Sequence, residues 1–199
     1  METTRLIMVA VGGQGNLLAS KVLGEAALIS GVQVRMSEIH GMAQRGGVVE
    51  SAIVFGEATS SIISDGEADI LLGFEPSETL RALNRCSKDT KVITNTATLP
   101  PFTVSIGKGV YPDVENIKEL LKDKCASLVA IDAMALAKEA GSPMSVNIVL
   151  LGALIESGSL GFTKENVIEA IKRRTKKAFL EKNLNAFELG FVAAQNYSS

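Results

Sequence analysis

Short apolar runs alternate with amphipathic stretches along most of the chain. The runs are rich in β-branched residues and predict strands at residues 6–11, 31–36, 48–55, 61–63, 69–74, 91–95 and 127–131. Apolar positions at the 3.6-residue period predict helices at residues 16–27, 76–84, 114–124 and 132–140. A long connection that is rich in proline and glycine, with one extended piece at 102–106, is predicted at 96–112.

Only helical periodicity follows from residue 146 onward. It predicts helices at 146–156, 164–174 and 176–195, the second of them capped by Thr163. Strands that alternate with helices, followed by helices alone, are typical of an α/β fold. We therefore predict one domain over residues 1–199: a Rossmann-like doubly wound, mostly parallel sheet with a helical C-terminal tail.

A glycine turn joins the first predicted strand to the first predicted helix. Gly12, Gly13 and Gly15 follow an apolar run that is typical of a strand buried on both faces. Glycine accepts φ > 0 and lets another group approach the backbone, and the following helix offers unpaired N–H groups to an anion. The pattern, with Ala10 in place of the first glycine, nearly matches the dinucleotide fingerprint. The alternative is that the glycines only close the turn and let helix and strand pack.

Composition and charge restrict the class of function. The 199 residues are 46% hydrophobic, which allows a sizeable core, and a net charge of -2 argues against a nucleic-acid partner. The N-terminal residues lead straight into the glycine turn and the apolar runs are short, so we expect no signal peptide, no membrane partner and a cytoplasmic location. Cys86 and Cys125 form no C-x-x-C pair, which excludes an iron–sulfur or structural zinc site made by this chain alone.

A polar, glycine-rich stretch at residues 37–47 follows the second predicted strand, where a loop is expected. Arg45, a permanently charged donor beside Gly46 and Gly47, can clamp a phosphate or carboxylate or lock a subunit interface, and both remain open. The single histidine, His40, has no companion ligands for a metal. Glu38 lies near the place of the acidic residue of nicotinamide-binding folds, which keeps such an enzyme as a minority alternative.

Four segments together resemble a known family. They are residues 12–15, the E-x-H-G-x-x-Q-R-G-G segment at 38–47, the N-x-x-x-L-G-A-L segment at 147–154 and the N-x-x-A-F-x-x-G segment at 183–190. In this order they resemble the gamma-type domain of the 2-oxoacid:ferredoxin oxidoreductases. The second segment is most similar to the beta subunit of the indolepyruvate branch of that family.

The resemblance implies the small subunit of a complex rather than a complete enzyme. That complex would convert an aryl 2-oxo acid and coenzyme A (CoA) to an aryl-acyl-CoA, CO2 and reduced ferredoxin. The resemblance implies that the large alpha subunit, the partner in a hetero-oligomer, carries thiamine diphosphate, Mg²⁺ and the iron–sulfur clusters. This chain alone would bind no cofactor, supply no catalytic residue or metal ligand, and be inactive when isolated.

The same resemblance implies a set of candidate contacts for a CoA phosphate or for the partner subunit: Gly12, Gly13, Gln14, Gly15, Arg45, Gly46 and Gly47. We expect the glycine turn and the Arg45 loop to lie together at one edge of the sheet, because the first and second strands are predicted neighbours. Two alternatives remain: the equivalent subunit of a pyruvate or 2-ketoisovalerate enzyme, and a nucleotide-binding module without an oxidoreductase partner.

Overall fold

A six-stranded sheet is the centre of the computed structural model, which describes residues 3–41, 47–100, 104 and 106–198. Its strands are β1 (Thr4–Val11), β2 (Val34–His40), β3 (Val48–Phe55), β4 (Ala68–Gly73), β5 (Cys86–Asn95) and β6 (Ser127–Ile131). The order across the sheet is β2-β3-β1-β4-β5-β6. β1, β4, β5 and β6 are parallel, whereas β3 pairs antiparallel with β1 and with β2. We call the edge at which β1, β4, β5 and β6 end the carboxyl edge.

Helices cover both faces of this sheet. They are α1 (Asn16–Ile29), α2 (Pro76–Arg81), α3 (Val114–Lys124), α4 (Ala133–Glu139), α5 (Val146–Glu156), α6 (Lys164–Arg174) and α7 (Leu180–Ser198). Helices α1, α5, α6 and α7 share one apolar core with the sheet, and α3 shares the core of the opposite face. The predicted α/β doubly wound, mostly parallel sheet with C-terminal helices is therefore confirmed.

β1 shows how the sequence builds these two cores. Its residues alternate between the faces, so that Leu6 and Met8 enter the first core while Ile7 and Val9 enter the second. All four side chains are almost fully buried, which explains the uninterrupted apolar run at the start of the chain.

α5 is enclosed by the sheet and by α7, and residues 146–155 are all buried. The two helices approach closely at glycines. A Cβ atom at Gly190 would overlap the Val149 carbonyl, and one at Gly152 would overlap the Phe187 carbonyl. The glycines of the two C-terminal sequence segments therefore meet at one helix crossing.

Three predicted features near the sheet are wrong. β2 covers Val34–His40 instead of residues 31–36, so Glu38 and His40 belong to a strand rather than to a loop. The first two strands are not neighbours, because β2 and β3 form an antiparallel pair that inserts β3 between β2 and β1. Residues 61–63 form no strand, since they join neither edge of the sheet.

Smaller differences concern helix ends. The helix predicted at 76–84 changes into a 3-10 turn after Arg81, and the last helix begins at Leu180 after a separate 3-10 turn at Lys177–Phe179. The extended piece predicted at 102–106 lies mostly outside the described residues. Among the helices that the structure describes, none is both long and apolar enough to traverse a lipid bilayer.

Candidate functional site

The glycine turn has the backbone geometry that requires glycine. Gly13 has φ 100° and Gly15 has φ 82°, both in the left-handed region. Gly15 is also the N-cap of α1 and provides no side-chain acceptor for the first N–H groups of the helix. An uncapped helix start beside exposed glycine backbone can bind an anion at the carboxyl edge.

Gln14 braces this turn against the neighbouring strand. Its Oε1 accepts a hydrogen bond from the Val11 amide at 2.8 Å, and its Nε2 donates to the Phe74 carbonyl at 3.2 Å. Both ends of the amide are thus bonded within the protein. The geometry gives Gln14 a structural role in holding the ends of β1 and β4 together.

Asn95 continues this brace and was missed by sequence reasoning. Its Nδ2 donates to the same Phe74 carbonyl at 3.1 Å, and its Oδ1 accepts from the Ala133 amide at 3.0 Å. Asn95 is buried, although it closes an apolar strand. A polar residue at the end of a buried run is the signal that would have identified it.

Asn147 joins two of the sequence segments that define the resemblance. Its Nδ2 donates to the Gly15 carbonyl at 3.1 Å, while its Oδ1 accepts from the Ile148 amide at 3.0 Å. The start of α5 therefore lies against the glycine turn and fixes the orientation of the turn.

The polar loop reaches the same edge through Gly47. The Gly12 amide donates to the Gly47 carbonyl at 2.8 Å, and the Gly41 amide donates to the Val48 carbonyl at 2.7 Å. The Gly47 end of the loop is thus fixed beside the glycine turn, and the Gly41 end is fixed to the start of β3. Arg45 and Gly46 lie outside the described residues, so their contacts remain predictions.

Glu38 occupies a different environment from the acidic residue of a nicotinamide site. Its Oε1 accepts hydrogen bonds from Ser51 at 3.1 Å and from Ser20 at 3.4 Å, and Asn16 donates to Ser51 at 2.7 Å. β3 separates its strand from β1, whereas the dinucleotide fold needs the acidic residue on the strand next to the glycine turn. The geometry does not support a nicotinamide site.

A cavity of about 420 Å³ lies between the glycine turn and the C-terminal helices. Its lining combines the turn, the start of α5 and the segment from α6 to α7: Gly13, Gly15, Leu18, Ser142, Met144, Ser145, Asn147, Arg174, Thr175, Lys176, Phe179 and Asn183. Spacing alone did not connect these residues, because they come from three distant parts of the chain.

Ion pairs fix part of the wall of this cavity. The Nε of Arg174 donates to Glu25 at 3.0 Å, and Arg173 donates to the other oxygen of the same carboxylate at 3.2 Å. A hydrogen bond from Arg174, and a weaker contribution from the hydrogen bond of Arg173, lower the pKa of Glu25. Arg173 and Arg174 of the basic run at 172–177 therefore attach α6 to α1. Lys176, in the cavity wall, has no ion-pair partner among the described residues.

Comparisons with known proteins agree with this architecture. The pyruvate ferredoxin/flavodoxin oxidoreductase family matches residues 5–193. A protein of Methanothermobacter thermautotrophicus named indolepyruvate oxidoreductase subunit IorB is 41% identical, over 92% of this chain and 94% of its own length.

Two solved structures share the fold. The gamma subunit of a keto/oxoacid ferredoxin oxidoreductase from Geobacter sulfurreducens is 26% identical, with a TM-score of 0.70 over 97% of this chain and 99% of its own. A 2-oxoglutarate:ferredoxin oxidoreductase from Magnetococcus marinus is 19% identical, with a TM-score of 0.73. The match covers 98% of this chain but 32% of that longer chain.

Proposed function

We propose that this chain, which belongs to the pyruvate ferredoxin/flavodoxin oxidoreductase family, is the small subunit of an arylpyruvate:ferredoxin oxidoreductase. The complex would oxidatively decarboxylate an aryl 2-oxo acid such as indolepyruvate, with CoA as acceptor of the acyl group and ferredoxin as acceptor of the electrons. The observation that carries this proposal is the 41% identity to an indolepyruvate oxidoreductase subunit over 92% of the chain.

The cysteines of this chain support a division of labour between subunits. An iron–sulfur cluster needs about four cysteine ligands, whereas this sequence contains only Cys86 and Cys125, one at the start of β5 and one after α3. We therefore assign the clusters, thiamine diphosphate and Mg²⁺ to a large partner subunit. In the Magnetococcus marinus protein this fold is about a third of a longer chain, which supports a larger partner for the fold.

The role proposed for this subunit is to bind an anionic group, a phosphate of CoA, at the carboxyl edge. The uncapped start of α1 and the left-handed Gly13 and Gly15 would supply backbone amides there. The bond from Gly12 to Gly47 places the residue that follows the polar loop beside them. Arg45, within that loop, would add a full charge and a forked donor to the site. Gly46 and Gly47 would supply the flexible backbone that lets this side chain reach the anion.

A reconstituted complex tests the function. The chain is co-expressed with its large subunit, and reduction of a viologen dye is measured with CoA and each of indolepyruvate, pyruvate and 2-ketoisovalerate. The expected result is CoA-dependent turnover that prefers indolepyruvate and requires both subunits. Preference for pyruvate or 2-ketoisovalerate would assign the chain to another branch of the oxidoreductase family. Full activity without this chain would refute the proposed role.

A further inference from the structure

The cavity between the glycine turn and the C-terminal helices has an apolar wall that is open to solvent. Leu18 of α1, Met144 before α5 and Phe179 before α7 contribute to this wall. Met144 is 76% exposed and Phe179 is 49% exposed, although the core of this chain buries most of its large apolar side chains. Apolar side chains that remain exposed around a concave space are typical of a binding site.

A cation and a helix start face the same space. Lys176 lines the cavity and has no ion-pair partner among the residues that the structure describes. Gly13 and Gly15 bring the uncapped, positive end of α1 to the same cavity. Arg174 is held in position by Glu25, which it shares with Arg173, so Lys176 is the cation of the cavity wall that is free to turn toward a ligand.

We infer that this cavity binds a flat aromatic ring that carries an anionic group. The ring would lie against Phe179 and Met144, and the anion would lie between Lys176 and the start of α1. The volume of about 420 Å³ is within the range that is typical of small-molecule sites, roughly 300–1,000 Å³. This inference adds the C-terminal helices to a site that the sequence assigned to the glycine turn and Arg45 alone.

Two ligands of the proposed reaction join an aromatic ring to an anion. The choice of these two ligands rests on the proposed function. One is the adenine nucleotide end of CoA, which joins a purine to phosphates. The other is an aryl acid, which joins an indole or phenyl ring to a carboxylate. The shared chemistry follows from the cavity, and the experiment distinguishes the two sources.

Direct binding to the full chain tests the inference. Calorimetry is carried out with adenosine 3′,5′-bisphosphate and with indole-3-acetate. Inorganic phosphate and indole serve as the anion and the ring alone. Saturable binding of the bisphosphate assigns the cavity to CoA, and saturable binding of indole-3-acetate assigns it to an aryl acid. Either result should exceed the binding of phosphate and of indole by about tenfold or more. Binding of neither aromatic anion would overturn the inference.

Three variants locate the bound ligand. Lys176→Ala and Phe179→Ala should each weaken binding about tenfold, because one removes the cation and the other removes the ring contact. Lys177→Ala is the matched control, since Lys177 is an exposed neighbour that does not line the cavity. Equal losses in the Lys176 and Lys177 variants, or no loss in either cavity variant, would overturn the site. Melting temperatures confirm that each variant remains folded.

The reconstituted complex separates this inference from the proposed function. Indolepyruvate turnover that persists when no aromatic anion binds the chain refutes the cavity assignment alone. Binding that depends on Lys176 and Phe179, in a complex that does not act on aryl 2-oxo acids, supports the cavity and refutes the proposed substrate.

Discussion

The side-chain amide of Asn147 donates to the Gly15 carbonyl at 3.1 Å and ties the glycine turn to the first turn of α5. The packing at this point is tight, because a Cβ atom on Gly15 would lie 2.7 Å from the Asn147 Nδ2. Gly15 therefore satisfies two requirements, a left-handed backbone with φ 82° and room for the asparagine.

Gly15→Ala should destabilise the chain more than the backbone conformation alone requires. A left-handed alanine costs roughly 1–2 kcal/mol, and the overlap with Asn147 adds on the order of 1 kcal/mol more. Gly31→Ala is the matched control, since Gly31 has φ 69° and nothing within 4 Å of its Cβ position. Urea unfolding measures both variants, and equal losses would show that the contact with Asn147 tolerates a methyl group.

Local patterns in the sequence were sufficient for several elements. The bounds predicted for β3, α3, α5 and α6 agree with the structure; α3 and α6 are amphipathic, whereas α5 is an apolar run buried on all sides. The predicted cap at Thr163 is confirmed as a capping box with Asn166. Such features depend on neighbours within one turn of chain, which the sequence displays directly.

Contacts between distant residues could not be predicted in this way. Glu38 looked like a loop residue, yet it lies in β2 because it pairs with Ser51 of β3, and Ser20 and Ser51 also bond to its carboxylate. The antiparallel insertion of β3 likewise depends on pairing that no local pattern reveals. Arg45, the most specific site prediction, lies outside the described residues and stays a prediction.

Gly190→Ala should be among the most destabilising substitutions in the chain, by several kcal/mol. Its Cβ would overlap the backbone carbonyl of Val149, so α5 and α7 must separate, and overpacking of this kind costs about 1–3 kcal/mol or more. Gly24→Ala is the control, because the neighbour of its Cβ at 3.1 Å is the flexible end of Met36 and alanine gains about 1 kcal/mol of helix propensity. A small loss for Gly190→Ala would show that the two helices can move apart freely.

Glu78→Gln should stabilise the chain, and more so at pH 7 than at pH 4. Burial raises the pKa of Glu78, Arg81 partly opposes this, and Glu75 adds to it. Because the folded state then holds the proton more tightly than the unfolded state, stability falls as pH rises from the ordinary glutamate pKa through the raised one. The glutamine variant lacks this loss.

Chemical denaturation of the Glu78→Gln chain and the parent at several pH values measures the difference. Glu119→Gln removes the same charge from an exposed position of α3 and is the matched control. If Glu78→Gln raises the free energy of unfolding equally at pH 4 and pH 7, the stabilisation does not come from the ionisation of Glu78.

The two cysteines should resist alkylation in the folded chain at pH 8. Burial, with a contribution from Cys125, raises the pKa of the Cys86 thiol to about 12, and burial also raises the pKa of Cys125. The thiolate fraction of Cys86 is then on the order of 10³-fold below that of a free thiol. Mass spectrometry after iodoacetamide treatment measures the rate, with the urea-unfolded chain as the control that labels fully. Rapid labelling of folded Cys86 would contradict the raised pKa of its thiol.

Arg45→Ala should weaken the apparent affinity of the reconstituted complex for CoA while leaving its assembly intact. The Gly12 amide bonds to the Gly47 carbonyl, two residues after Arg45, so we expect a phosphate bound at the open start of α1 to be within reach of the Arg45 side chain. Loss of one charge-assisted contact corresponds to about 1.5–3 kcal/mol, which is tenfold or more in the KM for CoA.

Arg35→Ala is the matched control, since Arg35 lies in β2 and bonds to the Ala58 carbonyl instead of joining the turn. Gel filtration reports assembly, and steady-state kinetics report the KM. If the Arg45 variant no longer assembles, the residue belongs to the subunit interface, and if the KM for CoA is unchanged, it does not contact the phosphate.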